Sequence, residues 1–284
     1  MANARAKAIA VLFFCSLLSN YVFADFSMRS LSVFININKD GTAYVEERLY
    51  LVISGQISKE LYDATRLSYS DLATWKERTQ LSEMRHHVTR ANTEISNLRV
   101  LPQPIERCNS MLDVCFATVI IDYNIPVGRN GTGLVRVENY KPRTSKFSLV
   151  SEALSFEQTK TGDLILPEGT TISISIPTNA DKIFISNPPQ ALIESPSNFR
   201  YDEQDNLRYY IGEQRTFEWR GDTLSKFQFS YEIEAPLETE VIEFFSTLQR
   251  KVSFFLTSNE GPAAIFILAV AAATVFYFNK ISTK

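Results

Sequence analysis

Two apolar runs bracket this chain, and they restrict what lies between them to a domain that folds outside a membrane. Residues 1–24 read as a secretory signal: Arg5 and Lys7 form a basic leader, Ala8 to Leu18 an apolar stretch, and Val22-Phe23-Ala24 a small-residue cleavage site. Pro262 to Phe278 is a run of 17 residues without a charge, at the short limit for spanning a hydrocarbon core about 30 Å thick. A buried core helix is the competing reading of this second run. The basic tail 279–284, with Lys280 and Lys284, favours a stop-transfer helix whose end stays cytoplasmic. The topology expected is a type I single-pass protein of the plasma membrane, with residues 25–261 extracellular.

Cleavage after Ala24 removes Cys15 and leaves Cys108 and Cys115 as the cysteines of the mature chain. In an oxidising compartment they should form a disulfide bond. Closing so short a loop stabilises by roughly 2.5 kcal/mol in the chain-entropy model, so a structural clip is expected and no redox role. With Arg5, Lys7, Lys280 and Lys284 set aside, residues 25–261 carry 25 basic and 32 acidic side chains, a net charge of -7. No basic stripe interleaved with aromatics occurs, which argues against a nucleic-acid partner.

The ectodomain reads as mainly β. Leu31, Val33, Ile35 and Ile37 alternate with polar or outward residues, the period of a strand with one buried face. After Lys39-Asp40-Gly41, a three-residue loop with Gly41 in the left-handed region sets Ile37 opposite Ala43 and Ile35 opposite Val45. Glu47 interrupts the apolar face of the second strand. Residues 58–85 read as a helical insertion, with Ile57, Leu61 and Ala64 on one face and Ser70 as a cap before Leu72 and Trp75. Strands are expected at Ile95 to Leu101, Cys115 to Ile125 and Phe147 to Phe156, closing a first domain over 25–160. A second, 161–235, contains Ile172, Ile174 and Ile176, then Ile183 and Ile185, and ends with Phe217, Trp219, Phe227, Phe229, Tyr231 and Ile233. The fold expected is two β-sandwich-like domains.

From Pro236 the period becomes helical. Leu237, Val241, Phe244, Phe245, Leu248 and Val252 form one stripe of an amphipathic juxtamembrane helix over 236–257. The stripe has three candidate partners: the chain's own β domain, the membrane surface, or another protein's helix. Ala269 and Ala273 give the membrane segment one small-xxx-small spacing for helix association. Contacts with lipid through 262–278, and with a protein partner or a second copy through 236–278, are expected.

Motifs with chemistry are sparse. Asn130-Gly131-Thr132 is a glycosylation sequon in a Gly-rich stretch. That stretch lacks the Lys-Ser/Thr of a phosphate loop, and Arg220-Gly221-Asp222 fits a tight turn better than an integrin motif. His86 and His87 read as a solvated pair, with no metal site, cofactor or catalytic constellation attached to them.

The opening strand with its Asp40-Gly41-Thr42 turn and Val45-Glu46-Glu47, the Ile174 to Pro189 run, and Trp219 to Phe245 leading to the anchor resemble membrane-anchored β-sandwich proteins of archaeal cell surfaces. The resemblance covers about half of the chain; a single membrane helix and a short tail depart from the multi-helix members. It implies a surface module and carries no functional residue across. The function expected is non-enzymatic: an extracytoplasmic β module for binding or envelope assembly. The alternatives are an accessory subunit held through 236–278 and a hydrolase of surface polymers.

Overall fold

The computed structural model describes residues 24–68, 71–88, 93–127, 133–141, 143–193, 196–203, 206–221 and 223–236, with 241, 245–251, 253–254 and 270. In chain order the elements are β1 (Asp25–Ile37), β2 (Ala43–Ser54), α1 (Gly55–Ser68), α2 (Leu72–Thr79), β3 (Ser96–Pro102), β4 (Arg107–Asn109) and β5 (Val114–Ile125). Then come β6 (Val135–Lys141), β7 (Thr144–Leu149), β8 (Glu157–Gln158), β9 (Leu164–Ile165), β10 (Thr170–Ser175) and β11 (Ala180–Ile185). α3 (Gln190–Ile193), β12 (Phe199–Asp202), β13 (Leu207–Tyr210), β14 (Thr216–Arg220), β15 (Thr223–Leu224) and β16 (Phe229–Glu234) complete the described set. The protein is mainly β, with several sheets.

The first sheet grows from the β1–β2 hairpin. Gly41 sits at φ +87°, and the loop closes through Asn38 N to Thr42 O at 2.8 Å and Gly41 N to Asn38 O at 3.0 Å. Ile37 then opposes Ala43 and Ile35 opposes Val45, as the alternation requires. A one-residue slip would turn Leu31, Val33, Ile35 and Ile37 to solvent at roughly 2 kcal/mol each, which outweighs the roughly 1 kcal/mol entropic cost of a glycine in the turn. Toward the N-terminal end of β1 the apolar phase differs: odd positions are apolar from Leu31 onward, but Phe26 and Met28 are even. The strand absorbs this with a bulge between Met28 and Ser30, which puts Phe26 opposite Ile53 and leaves Arg29 exposed.

β2 is paired along its whole length by β5 on its other side, and β3 and β4 pair with β5 in turn. On the far side of β1 lies β10, in parallel register from Leu31 opposite Thr170 to Asn36 opposite Ser175, and β14 joins β10. The order is β14-β10-β1-β2-β5-β3, with β4 also on β5. A second sheet has the order β12-β13-β11-β16-β7-β6, and β15-β9-β8 form a small third one.

The boundary expected near residue 160 therefore does not separate two β domains: both large sheets take strands from each side of it. The physical reason is the open edge of β1, which accepts β10, whose Ile172 and Ile174 continue the same buried face. Trp219 and Phe217 of β14 meet Phe229 of β16 with ring centroids 6.1 and 5.5 Å apart, and Phe217 meets Tyr210 of β13 at 5.5 Å. One apolar core thus runs from Phe26 to Tyr231.

Helices form in the expected insertion over Gly55–Ser68 and Leu72–Thr79 but not over 80–85, and the buried face of the first is shifted by one residue. Ser58, Tyr62 and Thr65 are buried on α1, whereas Ile57 is 48% exposed and Ala64 is also exposed. Tyr62 decides the phase: its ring meets Trp75 edge-on at 5.3 Å and its hydroxyl donates to Gln103 O at 2.6 Å, so the largest side chain is both buried and satisfied. The cap of α2 is Asp71, whose carboxylate accepts from Thr74 N at 2.8 Å, rather than Ser70, which lies outside the described residues. The strand expected to reach Phe156 ends at Leu149, where a 3-10 turn at Ser151–Ala153 follows.

The chain divides into two compact units, 1–138 with 146–233, and 139–145 with 234–284. In the second, Arg143 donates to Ala235 O through Nε at 3.1 Å and Nη2 at 2.9 Å, and Ala235 N returns a bond to Arg143 O at 2.7 Å. Among the described residues no helix is long and apolar enough to cross a membrane. The leader before Ala24, the sequon at Asn130 and the apolar run 262–278 apart from Val270 lie outside those residues, as does the tail 279–284.

Gly41 and Gly162 share φ +87°, but a Cβ on Gly41 would stand 2.7 Å from Val137 Cγ2, whereas one on Gly162 meets nothing within 4 Å. In urea titrations Gly162→Ala should cost about 1–2 kcal/mol, from the left-handed backbone alone, and Gly41→Ala at least about 1 kcal/mol more from overpacking. Equal losses would show that Val137 yields without cost.

Candidate functional site

Glu47 is the feature that the alternation of β2 leaves unexplained. It is fully buried, on the same face as Val45 and Leu49, where an ionised carboxylate is costly unless donors surround it. Three donors do. Tyr123, inward on β5 diagonally across the ladder, donates its hydroxyl to Glu47 Oε1 at 2.5 Å. The backbone N–H of His87 donates to the same oxygen at 2.7 Å, and His87 Nδ1 lies 2.7 Å from Oε2. Against an ionised Glu47, Nδ1 carries the proton.

The knot holds the segment after α2 down on the sheet. Val88 N donates to the Tyr123 hydroxyl at 3.3 Å, Ser155 N donates to His87 O at 2.8 Å, and the His87 ring stacks on Phe156 with centroids 5.6 Å apart. His86 and His87 are therefore not a solvated pair. His87 is buried, and His86 lies edge-on to Tyr123 at 5.4 Å with its Nε2 buried and, among the described residues, without a hydrogen-bond partner. Burial lowers the proton affinity of His86 more than the Glu47 charge raises it, and the His87 charge lowers it further. Burial, with the Glu47 charge second, pushes the Tyr123 phenol well above its ordinary range, so it remains a donor. The signal in the sequence was the carboxylate in an apolar phase; its partner 40 positions away leaves no local trace.

On the opposite face of the same strands, Arg99 holds Asp122 with Nε at 2.9 Å and Nη2 at 2.5 Å, and Arg48 holds Glu46 at 2.6 Å. The Tyr44 hydroxyl lies 3.3 Å from Asp122 and 3.5 Å from Glu46. The structure thus gathers two carboxylates that look scattered in the sequence, each already paired with an arginine. Cys108 and Cys115 face each other across β4 and β5 as a disulfide, with Cα atoms 4.0 Å apart. Among the described residues no three His, Cys, Asp or Glu side chains converge as a metal site.

Concave sites open on the first unit. A groove of about 720 Å³, within the usual range of ligand clefts, lies between the segment Ser186 to Ala191 and the strand β14, with Trp219 and Leu224 among its lining. A pocket of about 400 Å³ on the second sheet gathers Arg136, Lys146, Ser148, Gln228 and Ser230, with Glu152 also lining it. In the second unit, Val241, Phe245 and Leu248 of the expected helical stripe are 45%, 61% and 45% exposed. Leu237, Phe244, Val252, Ala269 and Ala273 lie outside the described residues.

Glu47→Ala should destabilise by about 3–5 kcal/mol, because it strands the His87 and Tyr123 donors, and Tyr123→Phe by about 1–2 kcal/mol. A loss below 1 kcal/mol for Glu47→Ala would show that the knot is not a fastener. The lowered His86 proton affinity means that the unfolded chain takes up this proton first. Its contribution is complete above the ordinary histidine pKa of about 6.5 and is lost as the pH falls below it. His86→Gln should flatten that part of the pH–stability profile in urea titrations.

No protein-family model matches the chain, and no curated protein matches it. Among solved structures, the chain matches the Fcho1 Mu homology domain from Danio rerio with bound Eps15 peptide, at 8% identity over 75% of this chain and 79% of that one. The TM-score is 0.19, and a likeness at this level carries no argument about the fold or a ligand.

Proposed function

We propose that this protein is an extracytoplasmic β-sandwich module that binds a partner or assembles an envelope complex, anchored by residues 262–278 after removal of a signal peptide. The observation that carries this reading is a contrast. The His–Tyr–Glu arrangement that resembles acid–base machinery is buried and saturated by its own donors, while the accessible groove is built from Trp219, Pro188, Pro189 and an edge strand. Charge relay needs a group that reaches solvent or substrate, and Glu47 reaches neither. The Cys108–Cys115 disulfide fits an oxidising compartment. Exposed Val241 and Leu248 favour a second reading, an accessory subunit that contacts its partner through 236–278.

The test is cross-linking of the full-length protein in its own membranes, followed by mass spectrometry. Links to one stoichiometric protein, or to a second copy, are expected. Links through 236–256 would select the accessory subunit, and links through the β surface the free-standing module. Labelling of both Cys108 and Cys115 by a maleimide without reductant would overturn the extracytoplasmic assignment.

A further inference from the structure

The reading as a binding module can be taken further at the groove, where the backbone itself states what fits. β14 pairs antiparallel with β10, from Thr171 opposite Arg220 to Ser175 opposite Thr216. Two bonds just beyond this ladder fix its phase: Gly221 N donates to Thr170 O at 2.8 Å, and Ile176 N donates to Arg215 O at 2.9 Å. Along an antiparallel strand, residues that exchange both backbone bonds with the neighbour alternate with residues that turn both groups away. With Arg215 and Gly221 bonded to the β10 side, Phe217 and Trp219 bond there too. Thr216, Glu218 and Arg220 therefore direct N–H and C=O to the outer edge of the sheet.

β14 is the terminal strand of that sheet. The Thr216 carbonyl is occupied by Gln214 Nε2 at 2.5 Å, and among the described residues the backbone groups of Glu218 and Arg220 have no partner. Across the groove stand Asn187, Pro188, Pro189 and Gln190. The two prolines have no N–H to offer. The carbonyls of Asn187 and Pro189 are committed, to Trp219 Nε1 at 2.7 Å and to Leu192 N at 2.9 Å. The wall therefore stands beside the edge without completing its ladder.

We infer that this groove takes an extended peptide segment of a partner protein, added as a strand to β14 through the backbone of Glu218 and Arg220. This assignment rests on the proposed binding function. A neighbouring strand satisfies edge groups at their native spacing, and its side chains fall alternately on two faces. Those on the Trp219 side fall on the face where Trp219 and Leu224, with Pro188 and Pro189 across the groove, supply apolar lining, and those on the other side meet the Glu218–Arg220 ion pair, 2.7 Å apart. The segment recognised thus alternates apolar and polar residues.

The test uses the full-length protein and a displayed library of random linear heptapeptides. Peptides with alternating apolar residues should be enriched, and Glu218→Pro should weaken an enriched peptide by about tenfold or more, because it deletes one outward N–H. The β10 ladder is untouched by that change, since Glu218 does not bond to it, and Glu218→Ala should alter affinity less than about threefold. N-methylation of the peptide at alternate positions reads the same ladder without altering the protein: one parity should abolish binding and the other spare it. Insensitivity to both changes, or a dimer formed through β14, overturns the inference. Loss of binding in Arg136→Glu with Lys146→Glu, but not in Glu218→Pro, moves the site to the second sheet and leaves the binding function standing. No enriched peptide together with no cross-linked partner in membranes removes both.

Discussion

The fold depends on β2, a strand that buries every second side chain over twelve residues and lies between two neighbours in its sheet. β1 and β5 cover both of its edges for its full length, and their inward residues are set by its phase. Each of Val45, Leu49, Leu51 and Ile53 is essentially inaccessible, and fully burying such a side chain is worth about 1.5–3 kcal/mol. The bulge at Met28 to Ser30 and the left-handed Gly41 are both local accommodations to that register. β10, β14 and β3 extend from these three strands rather than forming domains of their own.

The same strictness creates the problem that Glu47 poses. A carboxylate in the inward phase of a central strand has no water to turn to, so the chain must bring donors to it. It does so by laying His87 and Val88 over the face of β2 and β5, which closes the core on the side away from β14. Fastening and covering are thus one arrangement. Residues 80–88, which follow α2, have no regular structure of their own and are held by the needs of a buried carboxylate. The histidine, tyrosine and glutamate within bonding distance of one another thus join β2, β5 and the segment after α2.

At the opposite end of the sheet the balance is reversed. β14 has side chains that complete the core, Phe217 and Trp219, and at Glu218 and Arg220 outward backbone groups that have no partner among the described residues. Edge strands ordinarily carry devices that discourage pairing, and here charged Glu218 and Arg220 point away from the core. These charges guard one face, while the outward N–H and C=O groups remain in the plane of the sheet. A prolyl wall preserves the space beside them.

The sequence by itself determined the elements whose information is local. The alternation at Leu31 to Ile37, with Gly41 placed for a left-handed turn, specifies hairpin register, because a slip inverts every side chain. The close spacing of Cys108 and Cys115 specifies their pairing, and the alternations around Ile172, Ile183 and Phe229 specify strands with one buried face. Only the tertiary structure decided which strands become neighbours. A period of two records that a strand has a buried face, but not which edge lies beside it, so the parallel union of β1 with β10 and the single core across residue 160 left no trace in the pattern. The phase of α1 was decided by Tyr62 reaching Trp75 and Gln103, contacts that apolar spacing does not encode. The roles of Glu47, His87 and the β14 edge were decided in the same way, since hydrogen bonding between distant residues depends on distances that exist only after the chain has folded.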